Sequence, residues 1–205
     1  VQKNLTAYLE YKNSRHQEYT NIILKKLKFN LNETLVFNND GRLLVCLIEF
    51  RELHEIEHVM ASILKVYKPY EIGISVMYGN QNKNYIENMF KNWNNIIFIK
   101  YDLFNIDRKI YSSLLKQPEF YEKFNNWSHV LIIQTDALIM RKIDDVYSNY
   151  DYIGAPWSKT NQWCKYNAGN GGFSLRNIKS CIKVCEQFRG VQWFSIPTQN
   201  EDGFF

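Results

Sequence analysis

The feature of this sequence that most constrains its fold is a regular alternation of apolar runs and amphipathic segments after residue 41. Residues 42–50, RLLVCLIEF, form a continuous apolar run that is typical of a strand covered on both faces. Each later crossover helix must bury its apolar face against the sheet, so the pattern predicts an α/β domain with a mostly parallel central sheet flanked by helices. The other expected strands are 71–79, 95–102, 129–136 and a short one within 150–157, and the expected helices are 52–67, 83–93, 108–124 and 178–188.

The segment before this alternation has a different pattern. Residues 4–28 place leucine, isoleucine and tyrosine at roughly helical spacing with polar residues between them. They predict an N-terminal helical extension over residues 1–40, followed by one main domain over residues 41–205. A chain of 205 residues is long enough for one substantial core.

Charge and composition argue against several classes of protein. The net charge of +4 is spread along the chain without a long basic block, so nucleic acid is not an expected partner. The four cysteines form no CxxC pair. No apolar stretch approaches the roughly 20 residues of a membrane span, so no transmembrane segment is expected. A cytoplasmic location is the expectation.

A lone carboxylate marks the end of the fourth expected strand. The apolar run in LIIQTDALIM stops at Gln134, Thr135 and Asp136, which places these residues at the carboxyl end of a parallel strand, where ligands bind in such sheets. Asp136 at this rim is suited to a divalent cation that bridges phosphates. The alternative is a solvated aspartate that caps the following turn.

Four stretches in chain order carry a resemblance to a known family. VLIIQTDALIMRKIDDVY resembles the segment with the Asp-x-Asp motif in nucleotide-sugar glycosyltransferases of the A-type (GT-A, Rossmann-like) fold. YDYIGAPW, GNGGFSLRN and NEDGFF are similar to a little-characterised group of glycosyltransferases of this fold. With LIEFRELHEIEHVMASIL near the first strand, the resemblance covers about residues 43–205.

The resemblance implies roles for the strand-end residues. The second Asp of the motif, which holds Mn²⁺ or Mg²⁺ against the donor diphosphate, falls on Asp136. The first falls on Gln134, which has no charge, so the requirement for metal stays open. Thr135 is expected near the ribose beside Gln134. Glu49 and Arg51 fall where the nucleotide base and ribose bind, and a surface ion pair is the competing account.

The resemblance also implies donor contacts later in the chain, at Asn170, Gly171 and Gly172. Without a Cβ, the two glycines allow close approach of a sugar and positive φ angles. The alternative is an ordinary glycine turn. Trp157 is a candidate stacking surface for a sugar or base, or a core tryptophan.

Asp202, preceded by Glu201, falls where inverting transferases carry the catalytic base. Adjacent carboxylates raise each other's pKa, which suits a base. Acidic residues in the first turn of a helix would explain the pair equally well.

One rival motif is HEIEH, which satisfies the metallopeptidase pattern with His54 and His58 as zinc ligands and Glu55 as general base. A third ligand is not evident in the sequence, and the histidines are expected on the solvated side of their helix.

The resulting hypothesis is a glycosyltransferase that moves a hexose from a nucleotide diphosphate donor, with uridine favoured, to a glycan or other hydroxyl acceptor. Inversion is favoured over retention. The alternatives are a zinc metallopeptidase and a non-catalytic sugar-binding module of the same fold.

Overall fold

A computed structural model describes residues 14, 33–156, 169–189, 201 and 204–205. The strands are β1 (Leu35–Val36), β2 (Gly41–Ile48), β3 (Gly73–Tyr78), β4 (Trp93–Asn94), β5 (Ile96–Lys100), β6 (Trp127–Ile133), β7 (Tyr152–Ala155) and β8 (Asn170–Asn177). The helices are α1 (Glu55–Val66), α2 (Lys83–Met89), α3 (Arg108–Leu115), α4 (Pro118–Glu122) and α5 (Ile178–Gln187), with 3₁₀ turns at Pro69–Glu71 and Asp145–Asn149.

The described residues form a six-stranded central sheet in the order β5-β3-β2-β6-β8-β7. β5, β3, β2 and β6 are parallel, whereas β8 runs antiparallel to both β6 and β7. The expected α/β architecture with a mostly parallel sheet is therefore confirmed. β1 and β4 pair as a separate two-stranded sheet.

Helices cover both faces of the sheet, as the continuous apolar run of β2 predicts. Leu43, Val45 and Leu47 belong to one buried cluster together with residues of α1 and α2. The alternate residues Leu44, Cys46 and Ile48 belong to a second cluster with residues of α3, α4 and α5. Successive side chains of a strand point to opposite faces, so β2 contributes to both cores.

One expected helix, 108–124, is two helices in the structure. α3 ends at Leu115, and Gln117 has an extended backbone with φ −102° and ψ 129°. Pro118 is the cause, because proline disfavours a helical conformation in the residue before it and starts a new helix readily at its own position. The prediction of a single continuous helix was wrong.

Most of the expected N-terminal helical extension, residues 1–40, lies outside the described residues. Its last part is described, and there Leu35–Val36 form β1 and Phe37 is buried in the core. No helix in the described parts of the chain is long and apolar enough to cross a membrane.

Candidate functional site

A cavity of about 400 Å³ opens at the carboxyl ends of β2 and β6. This is the edge of a parallel sheet where ligands usually bind. Five residues singled out in the sequence lie in its wall: Glu49, Arg51, Gln134, Thr135 and Asp136. The other lining residues are Ile48, Phe50, Asn105, Ile106, Asp107, Arg108 and Tyr111.

Glu49 and Arg51 form a tight ion pair just beyond β2. The Arg51 Nε donates to Glu49 Oε1 at 2.8 Å, and its Nη2 donates to Oε2 at 2.8 Å. Burial alone would raise the pKa of Glu49, but the hydrogen bonds from Arg51 and Thr135 outweigh it and the pKa lies below its usual value. The Arg51 side chain remains 54% exposed, so its charge is available to a ligand.

Gln134, Thr135 and Asp136 follow β6 directly. The Gln134 backbone N–H donates to the Gly172 carbonyl at 3.0 Å, which attaches this turn to β8. The Thr135 hydroxyl donates to Glu49 Oε2 at 3.2 Å. The ends of β2 and β6 are thus linked through side chains, and Asp136 is exposed at the rim.

The protein oxygen atoms at the rim suit a divalent cation only if a bound substrate supplies further ligands. The Glu49 carboxylate is already held by Arg51, and Asp107 accepts a hydrogen bond from the Ile110 N–H as the cap of α3. Among the described residues, no group of three or more histidine, cysteine or acidic side chains is arranged to hold a metal. Mg²⁺ is commonly bound by one or two carboxylates together with substrate phosphates, and Asp136 fits that arrangement.

The glycine pair of β8 differs from the expectation in its backbone conformation. Among the described glycines only Gly41 has a positive φ, so the expectation of positive φ at Gly171 and Gly172 was wrong. Protein side chains occupy the space that a Cβ would need. A Cβ on Gly172 would lie 2.5 Å from Gln134 Oε1, and one on Gly171 would lie 2.1 Å from Glu201 Oε1.

The glycines form part of an irregularity in the β7–β8 ladder. Gly154 pairs with Ser174, but the next residue, Ala155, pairs with Asn170, so three residues of β8 are extra. Within this bulge the exposed Asn170 accepts a hydrogen bond from the Gly172 N–H through its side chain. Bulges are common beside functional sites because they change the direction of neighbouring side chains.

Sequence reasoning missed the wall formed by residues 105–111. The irregular segment after β5 has no periodic pattern, and only Asp107 gives a signal, because an aspartate before a helix is a typical N-cap.

Asn82 was also missed. It is fully buried, and its side-chain amide donates to the carbonyls of Glu49 and Arg51 at 2.8 and 3.1 Å.

The structure does not bring all candidate residues together. Glu201 is 5% exposed and is not among the residues that line the cavity. Its Oε2 accepts a hydrogen bond from the Ser112 hydroxyl at 3.0 Å, and its Oε1 lies 3.7 Å from Arg176 Nη2. Asp202 and Trp157 lie outside the described residues.

The HEIEH motif lies at the start of α1. His54 is the N-cap, so only Glu55 and His58 are within the helix. The two imidazole centroids are 5.1 Å apart, and the His54 side chain is 75% exposed. In the described part of the chain no third ligand accompanies them.

Comparison with solved structures gives 43 matching chains. The chain is similar to the glycosyltransferase GlyE of Streptococcus pneumoniae TIGR4, with 13% identity, a TM-score of 0.48 and coverage of 80% of this chain and 42% of that one. It is similar to mouse xyloside xylosyltransferase 1 in its apo form, with 10% identity, a TM-score of 0.49 and coverage of 81% and 80%. It is also similar to the mannosyltransferase PcManGT from Pyrobaculum calidifontis, in complex with GDP-Man and Mn²⁺, with 11% identity, a TM-score of 0.44 and coverage of 91% and 58%.

The chain thus spans less than two thirds of the length of two of these three structures. TM-scores below 0.5 fall short of showing a shared activity. Among curated proteins none matches the sequence. Residues 94–205, more than half of the chain, match DUF5672, a family described as protein of unknown function, and the chain belongs to that family.

Proposed function

We propose that this chain is a glycosyltransferase that moves a hexose from a nucleotide diphosphate donor, a uridine one being favoured, to a hydroxyl acceptor. The observation that carries the proposal is the convergence of Glu49, Arg51, Gln134, Thr135 and Asp136 on one cavity. These residues come from two segments more than 80 positions apart, and the resemblance to glycosyltransferases assigns all five to the donor.

The cavity has the chemistry that a nucleotide sugar requires. Arg108 supplies positive charge for a diphosphate, because guanidinium groups match phosphate oxygens with paired donors, and Arg51 stays assigned with Glu49 to the nucleotide base and ribose. Gln134 offers an uncharged amide to a ribose hydroxyl. A cavity of about 400 Å³ with mixed polar and apolar walls is within the range of small-molecule sites.

Asp136 is the residue assigned to the metal in this proposal. When bound, Mn²⁺ or Mg²⁺ would offset the negative charge that develops on the departing diphosphate. Arg108 in the same wall acts on the same charge, so the activity with and without added metal has to be compared.

Asp202 is assigned as the general base. It takes the proton from the acceptor hydroxyl while that oxygen attacks the anomeric carbon, and the bond to the diphosphate breaks on the opposite side of the sugar. The configuration at the anomeric carbon is inverted. Retention in the product would contradict this assignment and leave the transfer itself intact.

The test is a screen of uridine and guanosine diphosphate sugars for donor hydrolysis and transfer, with three variants. Asp136→Ala and Asp202→Asn are expected to lower turnover by about 100-fold, the usual scale for acid–base and charge-stabilising groups. Only Asp136→Ala is expected to weaken binding of the nucleoside diphosphate. The control is Asp144→Ala, an exposed aspartate of the same loop that does not line the cavity.

Three results would contradict the proposal. Unchanged turnover in both site variants would remove the assigned residues from the reaction. Nucleotide binding without any hydrolysis or transfer would favour a sugar-binding module. Stoichiometric zinc that is lost in His58→Ala would favour the metallopeptidase.

A further inference from the structure

Arg176 is a charged side chain without solvent exposure. Its guanidinium lies in the core behind the glycine bulge of β8. Nη1 donates to the Tyr121 hydroxyl at 2.9 Å, Nε donates to the Ser174 hydroxyl at 2.9 Å, and Nη2 donates to the Gly171 carbonyl at 3.4 Å. The Ser174 hydroxyl also donates to the Gly171 carbonyl. One backbone oxygen of the bulge thus accepts hydrogen bonds from two side chains of a cluster formed by Arg176, Ser174 and Tyr121.

Glu201 is the carboxylate that faces this buried charge. It lies 3.7 Å from Arg176 and receives a hydrogen bond from Ser112. An arginine stays charged in proteins, so removal of its buried partner is strongly unfavourable. The rings of Tyr152 and Phe205 stack on each other with centroids 5.9 Å apart, and each centroid lies 5.2 Å from the Arg176 Cζ. The end of the chain is therefore attached to β8 both before and after Asp202.

The same cluster touches the wall of the cavity at two points. The bulge contacts the Glu201 carboxylate at Gly171 and the Gln134 amide at Gly172. Ser112 follows Tyr111 on α3, so two consecutive residues of this helix contact the cavity and Glu201, respectively. The Glu201 carboxylate and the Gln134 backbone N–H are thus adjacent to the same glycine pair.

We infer that the buried pair Arg176–Glu201, with Ser112, is a positioning unit of the cavity. It fixes the glycine bulge that supports Gln134, and it fixes the chain one residue before Asp202. None of the three side chains lines the cavity, so they act through other residues and not on the donor. The support of the glycine bulge and Gln134 is argued from contacts in the structure. The effect on sugar transfer through Asp202 rests on the proposed function.

The first test needs no substrate. Hydrogen exchange of the Gln134 amide reports on the bulge, because this amide is bonded to the Gly172 carbonyl. In Ser112→Ala and in Glu201→Gln its protection is expected to fall about tenfold relative to the Val45 amide in the centre of β2. Ser75→Ala is the control, because it also removes a buried hydroxyl that donates a hydrogen bond, but between β3 and β5 on the far side of β2 from β8. An equal fall at Gln134 and Val45, or no fall, would overturn the inference.

The second test is kinetic. In Ser112→Ala, kcat for transfer is expected to fall about tenfold with the donor KM changed by less than about twofold, since small misplacements mainly affect the chemical step. In an Asp202→Asn background the same substitution is expected to have no further effect. Effects that multiply would show that Ser112 does not act through Asp202.

The two tests separate the two hypotheses. If no nucleotide sugar is turned over, the proposed function fails, and the exchange measurement still decides whether the cluster positions the bulge. If Asp202→Asn abolishes transfer and Ser112→Ala keeps wild-type kcat, the function stands and the inference fails.

Discussion

Glu49 illustrates how one residue determines the orientation of others around the cavity. Its Oε1 accepts hydrogen bonds from the Phe50 and Arg51 backbone N–H groups at 3.0 and 2.9 Å in addition to those from the Arg51 side chain. With Thr135 on Oε2, the carboxylate is occupied by the protein. Glu49 therefore orients Arg51, and the half-exposed guanidinium is the part of this ion pair that is open to the cavity.

The glycine pair gives a prediction at the same scale. Gly171→Ala would displace a buried, paired carboxylate, so we expect the free energy of unfolding to fall by about 2 kcal/mol or more. Gly172→Ala meets the ends of two flexible side chains, Gln134 and Asn170, so we expect a loss below about 1 kcal/mol. Urea unfolding measures both changes.

The variant with the smaller expected loss of stability, Gly172→Ala, is the one expected to weaken ligand binding. Gly172→Ala moves the Gln134 amide at the cavity wall, so titration with uridine diphosphate is expected to show an affinity several-fold weaker than in the wild type. Equal losses of stability in the two variants would contradict the contacts described for the bulge.

The site could be predicted from sequence where it follows an apolar strand. Glu49, Arg51 and residues 134–136 were found because polar residues after such a run must lie at the rim of a parallel sheet. Asn105 was not found, since an irregular loop has no period to read, and Arg108 is a charged residue at the start of α3 that no pattern distinguishes from a solvated one. The partners of Gly171 and Gly172 depend on long-range packing, which one sequence does not encode in any local pattern.

Among the secondary structure elements, β3 and β6 are in contact across β2 through the Trp127 side chain. The Trp127 ring at the start of β6 reaches over β2, and a Cβ on Gly73 of β3 would lie 2.3 Å from its Cζ2 atom. Leu44 Cδ1 would be 2.9 Å away, so the position has no room for a side chain. A rigid indole in a packed core cannot rotate out of the way without disturbing its neighbours.

Gly73→Ala is therefore expected to lower the free energy of unfolding by about 1–3 kcal/mol, the usual cost of overpacking a core. In a Trp127→Phe background the same substitution is expected to cost less, because the smaller ring leaves space. Denaturant unfolding of the four proteins of this cycle gives the coupling. The same cost in both backgrounds would show that the clash lies elsewhere.

The order of helices and strands could be predicted because hydrophobic periodicity differs between the two. The direction of each strand could be predicted less well from the sequence. β7 and β8 are antiparallel to their neighbours, and alternation of apolar residues carries no sign of direction. The break at Pro118 was readable in principle, since a proline within a helical pattern marks a boundary.

In the molecule as a whole, residues 35–37 belong with the main domain. β1 pairs with β4, and the Phe37 ring packs against Trp93 with centroids 5.3 Å apart. Phe37 is 2% exposed and belongs to the same cluster as α1 and α2. The packing of the domain thus extends to the N-terminal side of residue 41.

A pair of truncations tests this boundary. A chain that begins at residue 41 is expected to be less stable than one that begins at residue 33 by about 3–5 kcal/mol, the usual cost of deleting a buried phenylalanine. Thermal and urea unfolding provide the comparison, with Phe37→Ala in the full chain as the control. Equal stability of the two truncations would place the boundary at residue 41.

The position of β2 in the middle of the sheet has a consequence for synthesis of the chain. Its first neighbour, β3, follows after a single helix and a 3₁₀ turn, but its second neighbour, β6, follows only after β3, α2, β4, β5, α3 and α4. With translation at about 5–20 residues per second, β2 emerges from the ribosome several seconds before β6 does. During that interval one edge of a strand with six consecutive buried apolar residues is open to chaperones, and to other nascent chains.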